Sequence, residues 1–82
     1  MQGWIILETA YTLINSEVGM EGRVLQDLRQ IPEVAEAYQV YGGYEIVARV
    51  AAETAEDLKN VITYIRHLDK IKSTLALLCV QR

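Results

Sequence analysis

The chain has 82 residues, 51% of them apolar, and a net charge of −3. That length suits one domain spanning 1–82 with a thin core of its own, and so high an apolar share implies that some of its surface meets another copy. The Lys and Arg residues are scattered at Arg23, Arg29, Arg49, Lys59, Arg66, Lys70, Lys72 and Arg82, which leaves no basic stripe for direct nucleic-acid binding.

One cysteine, Cys79, excludes an intrachain disulfide and any zinc-knuckle spacing. It lies in an apolar run and is expected to be a small buried hydrophobe. No apolar run is long enough to span a bilayer, and no basic leader region opens the chain. The expectation is a cytoplasmic protein.

In chain order, Trp4-Ile5-Ile6-Leu7 is too apolar to hang free, and is expected to extend the first strand or pack on a neighbouring subunit. Thr9 to Glu17 reads as a strand. Tyr11, Leu13 and Asn15 share one face; Ala10, Thr12, Ile14 and Ser16 share the other, and both faces are fairly apolar. Gly19 marks a turn. Met20 to Ile31 reads as a helix, with Val24, Leu25, Leu28 and Ile31 on one stripe. Pro32 stops it, because the residue before proline is pushed out of the α region. Glu33 to Tyr41 reads as a second strand.

Gly42-Gly43, flanked by Tyr41 and Tyr44, is a hairpin signal, since tight hairpin turns need positive φ. Tyr44 to Ala51 is the third strand. Thr54 is placed as the N-cap of a second helix, with Glu56 and Asp57 in its first turn. Its apolar stripe is Ala55, Leu58, Val61, Ile62, Ile65 and Leu68. A last strand runs from Ile71 to Val80.

The order is β-α-β-β-α-β, and the halves superpose as sequences. Moving Arg29 onto Arg66, a shift of 37 positions, also brings Val24 onto Val61, Leu25 onto Ile62 and Leu28 onto Ile65. The same shift sets Tyr11 on Ala48 and Leu13 on Val50, an expected repeat of the core pattern. Two β-α-β units joined by a hairpin define an α+β, ferredoxin-like sandwich: a four-stranded antiparallel sheet with two helices on one face. The other face is too apolar to stay wet, so sheet-to-sheet dimers, a dimeric α-β barrel, are expected.

Catalysis needs a nucleophile beside a base, a metal cluster, or paired acids in a cleft. None appears with a recognisable spacing, and no cofactor motif is present. His67, at the end of the second helix, reads as a cap or surface residue. Glu53, Glu56 and Asp57 suit a helix N-terminus without a metal. Tyr41-Gly42-Gly43-Tyr44-Glu45 remains, with two aromatic walls, backbone bared by glycine and a carboxylate that can pair with an ammonium group. Ser73 and Thr74 add two hydroxyls near the start of the last strand. The plain alternative is that the glycines only turn the chain and the tyrosines only pack.

Four stretches, Tyr11-Thr12-Leu13-Ile14-Asn15, Ile31 to Tyr38, Tyr41 to Val47 and Ser73 to Leu77, together resemble the effector-binding domain of the Lrp/AsnC regulators, the module for regulation of amino-acid metabolism. The resemblance covers roughly 8–80, leaving 1–7 as an extension, and no helix-turn-helix accompanies it, as in a stand-alone module. It implies the ferredoxin-like fold, face-to-face homodimers assembling into octameric or decameric rings, and amino-acid effectors held where dimers meet. The family's Gly-x-Tyr-Asp stretch becomes Gly42-Gly43-Tyr44-Glu45, with the acid one methylene longer. The family's hydroxyl pair maps to Ser73 and Thr74. The expected function is a regulatory module, not an enzyme, that binds an amino acid at a subunit interface and acts on transcription through assembly. Three alternatives stand beside it. One is a partner of a full-length Lrp/AsnC regulator that only oligomerises. Another is a small dimeric enzyme with His67 or Tyr38 in a cleft between sheet and helices. The third is an ACT-type domain binding at Val18-Gly19-Met20.

Overall fold

The computed structural model describes residues 7–80. The order is β1 (Glu8–Ser16), α1 (Glu21–Arg29), β2 (Val34–Gln39), β3 (Ile46–Ala52), α2 (Ala55–Arg66) and β4 (Ile71–Leu78). The strands form one antiparallel sheet in the order β2-β3-β1-β4. This is the expected ferredoxin-like sandwich. The Trp4-Ile5-Ile6 part of the N-terminal extension lies outside the described residues; Leu7 is exposed.

Side chains alternate across a strand, so one register fixes both faces of the sheet. Ala10, Thr12, Ile14 and Ser16 of β1, with Ile46, Ala48, Val50 and Ala52 of β3, are buried. Val24 and Leu28 of α1, and Leu58, Ile62 and Ile65 of α2, complete the core with them. Thr54 caps α2 as expected: its Oγ1 accepts from the Asp57 N–H at 3.0 Å. Helix α1 starts at Met20 without any side-chain cap. Leu25 and Val61, expected in the core, pack at its margin.

The 37-position repeat is sound for the helices, where Leu28 and Ile65 are both fully buried, but fails for the strands. Tyr11 is exposed while Ala48 is buried, and the two point to opposite faces. With a side-chain period of two, an odd shift inverts every residue of a strand, whereas a helix tolerates it. Moving Ala10 onto Ile46 and Thr12 onto Ala48 restores the match of faces.

Two strand expectations also change. The β2–β3 connection is no two-residue turn. Val40 N–H donates to the Glu45 carbonyl at 2.8 Å and closes a loop over Tyr41, Gly42, Gly43 and Tyr44. Of the two glycines only Gly42 has positive φ, at 130°. Cys79 is exposed rather than buried, because it follows β4, an edge strand, with no neighbouring strand outside it.

The sheet face away from the helices carries Tyr11 and Leu13 of β1, Tyr38 of β2, Val47 of β3, and Leu75 and Leu77 of β4. The cross-strand pairs Tyr11↔Leu77, Leu13↔Leu75, Leu13↔Val47 and Tyr38↔Val47 place them together.

Candidate functional site

The loop Tyr41–Tyr44 projects from the sheet, with Tyr41, Gly42 and Gly43 exposed and Tyr44 half-buried. It is tied down by the end of β1. Asn15 Nδ2 donates to the Gly43 carbonyl at 3.2 Å, and Asn15 Oδ1 accepts from the Glu45 N–H at 3.1 Å. The Glu45 N–H also reaches the Ile14 carbonyl at 3.1 Å. The Glu45 carboxylate turns inward. Its Oε1 accepts from the Ser16 N–H at 2.9 Å and lies 3.0 Å from Ser16 Oγ. The Asn15 amide thus holds the loop at the Gly43 carbonyl and at its Glu45 root, and the Glu45 carboxylate ties that root to Ser16 of β1.

The remaining expected site residues separate. Ser73 pairs with Asn15 across β1 and β4, on the open face and beside the loop. Thr74 pairs with Ile14 on the helix-covered face, where its Oγ1 accepts from Arg66 Nε at 3.2 Å. Adjacent residues of a strand point to opposite faces, so the two hydroxyls do not line one pocket of a single protomer. Asn15 and Ser16 carry no signal of their own in the sequence. Their contacts with Gly43 and Glu45 span 28 to 30 positions, and only the strand register reveals them.

A second polar cluster on the open face also escapes sequence reading. Arg49 Nη2 stands 2.7 Å from Glu36 Oε2, and Tyr38 Oη donates to Glu36 Oε1 at 2.9 Å. The Arg49 and Tyr38 hydrogen bonds hold the Glu36 carboxyl below its ordinary value, and donating to Glu36 keeps the Tyr38 phenol protonated to higher pH. Tyr38 therefore lies on the open sheet face, not in a cleft between sheet and helices. His67 caps the end of α2, exposed, with Nδ1 at 2.8 Å from the Thr63 carbonyl. Neither residue builds the cleft that an enzyme of this fold would need.

Among the described residues, no group of three or more His, Cys, Asp or Glu is placed to hold a metal ion. No helix among them is long and apolar enough to cross a membrane.

A four-stranded sheet with both helices on one face and a tethered β2–β3 loop defines a regulatory ligand-binding domain when set beside known proteins. The model of the Lrp/AsnC ligand binding domain matches residues 9–82, and the chain belongs to that family. It is similar to the HTH-type transcriptional regulator FL11 of Pyrococcus horikoshii, 26% identical over 65 residues that make up 79% of this chain and 43% of the relative. The Pyrococcus furiosus protein of that name matches over the same shares. The chain therefore spans less than half the length of these relatives. Among solved structures, PHS023 from Pyrococcus horikoshii is 35% identical, with a TM-score of 0.85 over 94% of this chain and 93% of that one. TTHA0845 from Thermus thermophilus is 32% identical, with a TM-score of 0.85 over 92% and 95% of the two chains. AsnC of E. coli is 28% identical, with a TM-score of 0.82 over 92% of this chain and 52% of that one. The family is one of transcriptional regulators, not of enzymes.

Proposed function

We propose that the chain is a cytoplasmic effector-sensing module. It binds a small effector, an amino acid, at a subunit interface and influences transcription indirectly, through its state of assembly. The observation that carries this reading is the tethered loop: exposed backbone at Gly42 and Gly43 between two tyrosines, held by Asn15 and Glu45 at the edge of an apolar open face. Bare peptide groups suit the carboxylate of a zwitterion, and the tyrosines offer walls for its side chain. Glu45 Oε1 is engaged by Ser16, so Oε2 is the oxygen left for the ammonium group.

Tyr41, Gly42, Gly43, Tyr44, Glu45 and Ser73 form one protomer's share of the site. Thr74, on the other sheet face, enters only by contacting a different subunit. The family resemblance supports face-to-face dimers, assembly into an octameric or decameric ring, and a site completed where dimers meet.

Calorimetric titration and thermal unfolding with each of the twenty amino acids test the reading. At least one should bind and raise the unfolding temperature, because a ligand held at an interface stabilises the assembled form by mass action. Tyr44→Ala should abolish that response while leaving the circular dichroism unchanged. Silence from all twenty at millimolar concentration would sink the amino-acid assignment. The open apolar face alone also favours a second reading, an oligomerisation partner of a full-length Lrp/AsnC regulator. Mixed oligomers in native mass spectrometry, formed without any effector, would select it.

A further inference from the structure

The helix layer carries a groove that the proposed sensing site does not use. It has a volume of about 520 Å³ and runs between the C-terminal part of α1 with its following turn and the C-terminal part of α2. Ile31, Tyr64 and Leu68 give it an apolar floor; Asp27, Glu33 and Asp69 stand along it, and no lining residue is basic. We propose that this groove docks a basic amphipathic segment of a partner protein, one that sets an arginine or lysine beside a large aliphatic side chain.

Three observations point to that occupant. The first is charge: three carboxylates face an apolar floor with no lysine or arginine in the lining. The second is a guanidinium already drawn to this rim. Arg23 of α1 reaches Asp27 at 3.8 Å and crosses to Asp69, beyond α2, at 3.9 Å. Both contacts are long and exposed, so an incoming arginine displaces little, and Glu33 makes no side-chain ion pair or hydrogen bond among the described residues. The third is shape. Tyr64 is 60% exposed and the Asp69 side chain 67% exposed. Small-molecule sites bury about 70–90% of their ligand, which so open a groove does not do. A furrow between two helices instead accepts a row of side chains from a third element, with the arginine stem along Leu68 and its head over Tyr64.

The groove lies on the opposite side of the sheet from the open face, so dimerisation through that face leaves it accessible, and its test does not depend on the amino-acid reading. The probe is a labelled peptide of about 18 residues, five helical turns, with leucine on one face and arginine on the other. Binding to the full chain is followed by fluorescence anisotropy at physiological salt. A second peptide keeps the arginines and replaces leucine by serine. The leucine peptide should bind and the serine peptide should not. The E33Q/D69N double variant should weaken binding about tenfold or more, and Tyr64→Ala should do likewise. The E36Q/E56Q variant removes the same charge on the open sheet face and at the start of α2, outside the groove's lining, and should change affinity less than about twofold, as expected of screened charge away from the groove. Amide shifts in the bound state should centre on Ile31, Leu68 and Asp69. Equal losses in the two double variants, equal binding of the two peptides, shifts centred on Tyr11 and Leu77, or no binding at all would each overturn the proposal.

Discussion

Lys70 has φ at 72°, the left-handed region that suits glycine. Its carbonyl accepts from the Glu17 N–H at 2.9 Å, which joins the start of β4 to the end of β1 and fixes the strained turn. For an L-residue that conformation costs roughly 1–2 kcal/mol. Glycine removes the strain but adds entropy to the unfolded chain, about 0.5–1 kcal/mol. Lys70→Gly should therefore raise stability by about 0.5–1 kcal/mol in urea unfolding; a fall would show that the lysine stem contributes more than the strain removes. Glu45 presents the opposite case. Its Oε1 serves both polar groups of Ser16, a residue only 3% exposed. Glu45→Ala strands the Ser16 N–H, while Ser16 Oγ can still donate to the Glu17 carbonyl at 3.2 Å; it should cost about 1–3 kcal/mol, whereas Glu45→Gln keeps an acceptor and should lose much less. Equal losses from the two would remove the hydrogen bonds as the cause. Glutamine is thus the substitution with which to probe ligand binding. The residue pattern exposes this region through its paired glycines and tyrosines. It does not show that the acid is turned inward, because Ser16 becomes a neighbour of Glu45 only once β1 and β3 are in register.

Among the elements, the helices are the most legible, because their signals are local. Thr54 followed by Glu56 and Asp57 marks the start of α2, and the structure returns a capping hydrogen bond from the Asp57 N–H. Thr54→Ala should cost about 1 kcal/mol by chemical denaturation, within the usual range for a lost N-cap. A change below a few tenths would mean that tertiary packing alone sets this helix end. The strands are legible as elements but less so in extent. The pattern carries β2 through Tyr41, yet it ends at Gln39; the pattern starts β3 at Tyr44, yet it begins at Ile46. Paired glycines signal a turn without stating its length, and here the closing hydrogen bond falls between Val40 and Glu45, outside the tyrosines. Face assignment within β1 succeeds because alternation is local. Transferring it to β3 by a fixed shift fails because the span from strand end to helix core differs by one residue: Leu28 lies 12 positions after Ser16, and Ile65 lies 13 after Ala52. A difference of one residue inverts strand phase without changing the helix repeat.

At the scale of the whole molecule, the sheet sends Ile14, Ile46 and Val50 into the core but fills its other apolar core positions with alanine. Ala10, Ala37, Ala48 and Ala52 fill positions where larger residues would bury more, while Tyr11, Leu75 and Leu77 lie on the open face at 42%, 43% and 50% exposure. Apolar burial stabilises at roughly 25 cal/mol per Å², so this chain keeps much of its unused driving force on one flat surface. Beside those side chains sits the Glu36–Arg49 pair, whose charges are mutually satisfied at 2.7 Å and would enter an interface already compensated. The proposed cover is a second copy related by a two-fold axis, and a substitution there would act twice in each dimer. Taking about 1.5 kcal/mol for each leucine kept from burial, a single change removes about 3 kcal/mol from association, or roughly 150-fold in dissociation constant. Leu77→Glu should therefore shift the chain toward monomer in analytical ultracentrifugation, with an unchanged circular dichroism spectrum, since the side chain is half-exposed within the protomer. Val18→Glu, in the loop before α1 and 94% exposed, supplies the control and should leave the assembly as it was. A wild-type chain that sediments as monomer at tens of micromolar, roughly the reach of a weak specific dimer, or a Val18→Glu variant that dissociates equally, would refute pairing through this face.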